Sequence, residues 1–127
     1  MRPLEPGPKL TDEIIRLGIK VHRRLGPGLP ETVYGHCLCW EPQNANLEFR
    51  REVPRAVVYE DVRLATGYFA DIIGEEAVLI ELKSVERMLP VHEAQTLTYL
   101  RLSGCRVALL MNFNTVLLKD GLRRFIP

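Results

Sequence analysis

Three residues near the middle of the chain, Asp71, Glu81 and Lys83, have the types and spacing to act together on a phosphate ester. Side chains alternate along a strand, so Glu81 and Lys83 share one face while Ile80 and Leu82 take the other. A hairpin symmetric about Glu76 sets Asp71 directly opposite Glu81, with Cβ atoms about 5 Å apart. Two carboxylates that close repel each other unless a proton or a cation lies between them. A hard divalent ion suits such a pair, since Mg²⁺ is held by one or two carboxylates, waters and a substrate phosphate. The ion acidifies water and stabilises charge on a phosphoryl oxygen. Lys83 then orients the attacking water or stabilises the developing charge. The same trio also fits a plain cross-strand salt bridge on a solvated face, which contributes little. The flanking apolar runs 69–73 and 77–82 argue for a deeper position, where charges need partners or a metal.

The elements that must hold this trio follow from periodicity and punctuation. Residues 1–9 read as a flexible arm and 10–127 as a single domain. Thr11 is an N-cap candidate, with Asp12 and Glu13 in the first turn. Ile14, Leu17, Val21 and Leu25 repeat at helical spacing until Gly26. Gly26-Pro27-Gly28 is a turn. A second helix opens at Pro30 and ends near Glu41, because Pro42 follows. Val33, Cys37 and Trp40 are its apolar candidates. The segment 42–46 is turn-like. Strand-like runs then carry Val53, Val57, Val58 and Tyr59, with a turn at Glu60-Asp61. Another run extends from Val62 to Ile73, and the strand 77–83 returns after a turn at Gly74-Glu75-Glu76. Pro90 opens a third helix to about Leu102, with Ala94, Leu97 and Leu100 as core candidates and Gly104 as its stop. The apolar run 107–111 has the pattern of a strand buried on both faces. Leu117, Leu118, Leu122 and Ile126 suggest a last strand pair around Asp120-Gly121. The expected order is α-α-β-β-β-α-β followed by a terminal hairpin.

Bulk properties exclude several classes. No stretch approaches the roughly 20 apolar residues of a membrane span, and residues 1–10 lack the apolar core of a signal peptide. A cytoplasmic protein is the expectation. Cys37, Cys39 and Cys105 are odd in number and lack CxxC spacing, so they read as thiols packed as small hydrophobes. His22, His36 and His92 are scattered, which leaves zinc without a ligand set. A net charge of +1 is below that of a strongly basic nucleic-acid binder. Arg23-Arg24, Arg50-Arg51 and Arg123-Arg124 are local clusters that suit solvated faces as well as phosphates.

Three further polar residues extend the candidate site. Gln95 and Tyr99, one turn apart, share a face of the third helix, which should pack back on the sheet. They would orient water or a phosphate, or else serve as an ordinary surface pair. Glu31, in the first turn of the second helix, would add a carboxylate to a metal shell or simply complement the helix dipole.

Taken together, these segments resemble the GxxExxY family of the PD-(D/E)XK nuclease-like superfamily. Gly28, Glu31 and Tyr34 fill the named motif, and the likeness continues through Gly67-Tyr68, Ala70-Asp71 and Ile80-Glu81-Leu82-Lys83. Leu89-Pro90-Val91-His92-Glu93-Ala94-Gln95, Leu97-Thr98-Tyr99-Leu100, Asn112-Phe113-Asn114 and Leu118-Lys119-Asp120-Gly121 extend it over roughly residues 10–125. The resemblance implies an α/β fold with an αβββαβ core, a central mixed sheet flanked by helices, and an extra N-terminal helix. It implies Asp71, Glu81 and Lys83 as the catalytic trio, with Glu31 and Gln95 as further site residues and Tyr34 and Tyr99 in support. Mg²⁺ or Mn²⁺ would be held by Asp71, Glu81, the backbone carbonyl of Leu82 and Glu31, and the partner would be DNA or RNA. The sequence departs from the family at 40–46, where the second helix breaks early, and at Phe69, where a basic residue is expected. The function so implied is phosphodiester hydrolysis by metal-activated water. The alternative is a non-catalytic nucleic-acid- or protein-binding module on the same fold, and a homodimer is among the oligomeric states left open.

Overall fold

The structure, a computed structural model, describes residues 8–41, 43 and 46–127. Helix α1 (Pro8–Leu25) starts earlier than Thr11. Proline is well suited to a first helical position because its missing N–H has no intrahelical partner there. Pro8 and Lys9 are therefore helical rather than part of an arm, while 1–7 of that expected arm lie outside the described residues. Thr11 is buried inside the helix, not at its cap. The stop at Gly26 is as expected: φ is +75° there, and its N–H donates to the His22 carbonyl at 2.8 Å. Helix α2 (Glu31–Trp40) turns Tyr34 and Leu38 inward, one turn apart. Trp40, taken as a core candidate, falls off that stripe and is 60% exposed.

Strands β1 (Phe49–Tyr59), β2 (Val62–Gly74) and β3 (Val78–Lys83) form a meander. Helix α3 (Pro90–Ser103) crosses over to β4 (Val107–Asn112), which runs parallel to β3. The expected terminal hairpin does not form. Leu118–Gly121 is instead one 3₁₀ turn, and β5 (Leu122–Phe125) pairs antiparallel with β4 itself. Leu118 caps the core from that turn, so its apolarity reflects burial and not a strand. The sheet order is β1-β2-β3-β4-β5, mixed in direction. Helices α1 and α2 cover one face through Ile14, Leu17, Tyr34 and Leu38, which meet Ile72, Ile80, Leu82 and Met111. Helix α3 covers the other through Leu100, against Ile73, Leu79 and Ala108. Ala94 lies on its solvent side; the inward stripe is Thr96 and Leu100, with the Thr96 hydroxyl donating to the His92 carbonyl at 2.9 Å. A buried hydroxyl so paired carries no desolvation penalty to speak of.

Two features of the meander position the site. First, β2 has 13 residues, but β3 pairs only with Ile72, Ile73 and Gly74. The rest of β2 and β1 continue as a two-stranded ribbon. Second, both ribbon strands change faces at one rung. Phe49 and Val53, an even number apart, pack on opposite sides of the sheet, and so do Ala70 and Ile72. The switch falls between the pairs Arg51↔Ile72 and Val53↔Ala70, at Glu52 and Asp71. Glu52 takes a φ of +52° to make it, a left-handed conformation that costs about 1–2 kcal/mol for a residue with a Cβ.

Candidate functional site

The turn at Gly74-Glu75-Glu76 is the expected one. Glu75 and Glu76 both have φ of +53°, and the Ala77 N–H donates to the Gly74 carbonyl at 3.0 Å. The register that follows, Ile72↔Ile80 and Ile73↔Leu79, is symmetric about Glu76. One step further, side chains replace the main-chain ladder. The Asp71 N–H donates to Glu81 Oε2 at 2.9 Å, and the Leu82 N–H donates to Asp71 Oδ2 at 2.8 Å. The carboxylates thus bond reciprocally to the opposite strand's backbone. Each is fixed through one oxygen, and Asp71 Oδ1 and Glu81 Oε1 take no part in these two bonds.

Burial makes this arrangement expensive in charge. Glu81 is 3% exposed, and that burial, reinforced by the Asp71 carboxylate, pushes its carboxyl up to about 8. Burial likewise raises Asp71, while the Leu82 N–H and the Lys83 ammonium oppose the shift. Lys83 shares the face of Glu81, and its Nζ donates to Gln95 Oε1 on α3 at 3.3 Å. Gln95 also hydrogen-bonds the Tyr99 side chain, whose hydroxyl is raised by burial and by Glu81 and Asp71. The Tyr99 ring stacks on Tyr68 at 4.2 Å, and the Tyr68 hydroxyl donates to the Tyr99 carbonyl at 3.2 Å. Asp71 and Glu81 are thus joined through the backbone, Lys83 and Gln95 through their side chains, and the ammonium acts on the two carboxylates through its charge.

Glu31 approaches these residues from another element. It comes from α2 and lines a cavity of about 130 Å³ with Thr32, Gly35, Arg51, Glu52 and Asp71. Burial raises its carboxyl; Lys83 lowers it and Asp71 raises it further. Tyr34 does not face the site. Its hydroxyl donates to the Gly26 carbonyl at 2.6 Å and accepts the Leu29 N–H at 3.1 Å, and its ring stacks on Phe113 at 4.4 Å. Its role is to clamp the turn before Glu31, where Gly28 has a φ of +100°.

The donor set suits a hard cation. One buried carboxylate, Glu81, and one half-buried one, Asp71, lie near a single ammonium, and a divalent ion bound through the remaining oxygens would relieve their repulsion. Among the described residues, no three His, Cys, Asp or Glu side chains are gathered as a ligand set. Cys37, Cys39 and Cys105 form no disulfide, and burial pushes the Cys39 thiol up to about 11. No helix among the described residues is long and apolar enough to cross a membrane.

Sequence reasoning missed four contributors. Arg51 and Glu52 enter the cavity from β1 because of the shared face switch, which no local pattern announces. Tyr68 and Asn112 were visible as parts of the resemblance, but their contacts depend on tertiary packing.

A mixed five-stranded sheet with helices on both faces, and an acid–acid–lysine group where two strands part, defines a nuclease-like α/β fold. The sequence profile of the PD-(D/E)XK nuclease superfamily matches residues 8–125, and the chain belongs to that superfamily. Neither a curated protein nor a solved structure matches it.

Proposed function

We propose that the protein is a metal-dependent nuclease of the GxxExxY kind, hydrolysing phosphodiester bonds in DNA or RNA. The observation that carries this reading is the reciprocal bonding of Asp71 and Glu81. It fixes two carboxylates side by side, Glu81 buried and Asp71 half-buried, each through one oxygen, with Lys83 on the same face. Asp71 and Glu81 would hold Mg²⁺ or Mn²⁺, with the Leu82 carbonyl, and Glu31 would act from across the cavity. The ion would supply an acidified water and neutralise charge on the phosphate. Lys83, held against Gln95, donates hydrogen bonds to the attacking water and to the developing oxyanion. Gln95, backed by Tyr99 and Tyr68, keeps the ammonium turned toward the carboxylates. Assignment to the GxxExxY branch is supported by a physical account of its motif: Gly28 supplies the positive φ, Tyr34 clamps the turn and Glu31 starts the helix beside Asp71.

The test is cleavage of labelled DNA and RNA with Mg²⁺ or Mn²⁺, alongside calorimetric titration of the metal. Cleavage lost in Lys83→Ala, with circular dichroism unchanged, is the expected result. Wild-type cleavage that persists at full rate in Lys83→Ala sinks the assignment. Metal binding without cleavage of either nucleic acid would leave a binding module in its place.

A further inference from the structure

We propose that Asn112 is a positioning residue for this site: its buried carboxamide fixes the chain that leaves Lys83 and thereby the place of the Lys83 ammonium. The inference rests on the reading of Lys83 as the group that assists the reaction.

The last rung of the parallel β3–β4 ladder pairs Lys83 with Asn112. The Phe113 N–H donates to the Lys83 carbonyl at 2.9 Å, and the ladder then ends. Beyond it, the Asn112 side chain does what a backbone no longer can. Its Oδ1 accepts the Val85 N–H at 3.1 Å, and its Nδ2 donates to the Val85 carbonyl at 2.9 Å. Both polar groups of one peptide residue are thus satisfied by one amide, in the manner of an extra strand rung. Neutral carboxamides alone offer a donor and an acceptor side by side; aspartate would lack the donor and leucine both.

Asn112 cannot easily move. It is 3% exposed. Its Oδ1 also accepts the Asn114 N–H at 3.1 Å, and its carbonyl accepts the Thr115 hydroxyl at 3.2 Å. Gly121 lies so close that a Cβ built there would overlap the Asn112 carbonyl oxygen. On the other side of the segment, the Ser84 hydroxyl donates to the Leu29 carbonyl at 2.7 Å, tying it to the turn before Glu31. Lys83 therefore leaves β3 on a course fixed from two directions. A lysine stem has four rotatable bonds, so the single Nζ–Oε1 contact with Gln95 selects one geometry only if the backbone beneath it stays put.

The experiment compares wild type, Asn112→Ala and Asn112→Ser, the second being too short to span both Val85 groups. Steady-state cleavage is measured with saturating Mn²⁺ at a temperature where circular dichroism shows the variants folded. The expected outcome is a fall in kcat of about 10- to 100-fold with KM changed by no more than about twofold, as for a misplaced catalytic group. An unchanged kcat with a lowered Tm would make Asn112 merely structural and overturn the proposal. Should the wild-type protein cleave neither nucleic acid, the functional reading fails by itself. The positioning claim is then decided by nuclear Overhauser contacts between the Lys83 and Gln95 side chains. Their loss in either folded variant supports it, and their persistence overturns it. Asn112→Ser carries both measurements if Asn112→Ala does not fold.

Discussion

The two ends of β2 obey different physics. From Ile72 to Gly74 the strand lies between β1 and β3, and these three residues, like Ala70 just before them, are buried. From Val62 to Phe69 the same strand has only β1 beside it; Val62 is 55% and Leu64 52% exposed. A lone hairpin in water is marginally stable, so the outer ribbon is held by local bonding, with Tyr68 at its root packed on Tyr99, while the inner end is held by the core. Asp71 sits at the boundary, at the rung where both strands change faces. The metal-holding role proposed for Asp71 would need a rigid backbone and an approach for ligand, and a boundary residue has both.

This contrast can be broken at several points. The largest effect is expected at the site itself, where Lys83→Ala should lower metal-dependent cleavage by at least about 100-fold. Its Tm should stay within a few degrees, since the ammonium has one long hydrogen bond to lose. Asp71→Asn should abolish calorimetric Mn²⁺ binding, and retained binding would move the cation elsewhere. Next comes the buried end of the meander. Leu79→Ala should destabilise the fold by about 2–5 kcal/mol in urea melts, as large-to-small core changes do. The smallest effect belongs to the ribbon, where Leu64→Ala should change stability by less than about 1 kcal/mol. Equal costs at Leu79 and Leu64 would mean that the ribbon is packed against something and that the two-part description fails.

The pH dependence sharpens the same boundary. Burial and Asp71 raise the folded-state Glu81 carboxyl to about 8, above the ordinary glutamate value of an unfolded chain. Between those values the folded protein binds a proton that the unfolded chain has released. Stability in the presence of EDTA should therefore fall as pH rises across that interval, with the full penalty present above it. Glu81→Gln should flatten this slope, leaving a remainder from Asp71, whose carboxyl is raised as well. Urea melts from pH 5 to 9 measure it. A Glu81→Gln protein with the same slope as wild type would place the buried charge elsewhere.

Much of the fold was legible because local signals agreed with it. The helical repeat through Ile14, Leu17 and Val21, the stop at Gly26 and the symmetric turn about Glu76 all read directly. Turn position and period also fix the register, although the ladder stops at Ile72↔Ile80 and Asp71 meets Glu81 through side-chain-to-backbone bonds and not as a ladder pair. Misreadings came where composition was ambiguous. Leu117 and Leu118 looked like strand residues, yet one apolar side chain in a 3₁₀ turn fills the core as well. Trp40 and Ala94 matched an apolar count without matching the stripe that packs. Tyr34, expected in support of the site, acts at one remove, through the turn that its hydroxyl clamps before Glu31. Glu52 was invisible and Arg51 stood out only as half of a basic pair, because a paired face switch depends on two strands at once. Asn112 required tertiary knowledge of what lies beside Val85.

The turn that sets the Asp71–Glu81 register is built from two glutamates at positive φ, where Asn-Gly would be the relaxed choice. Its compensation is ionic: Glu75 accepts the Glu48 N–H at 2.8 Å, and Glu76 pairs with Arg50. Such a turn leaves room for engineering. Asn-Gly at positions 75 and 76 should raise thermal tolerance and make it less sensitive to salt, without touching a site residue.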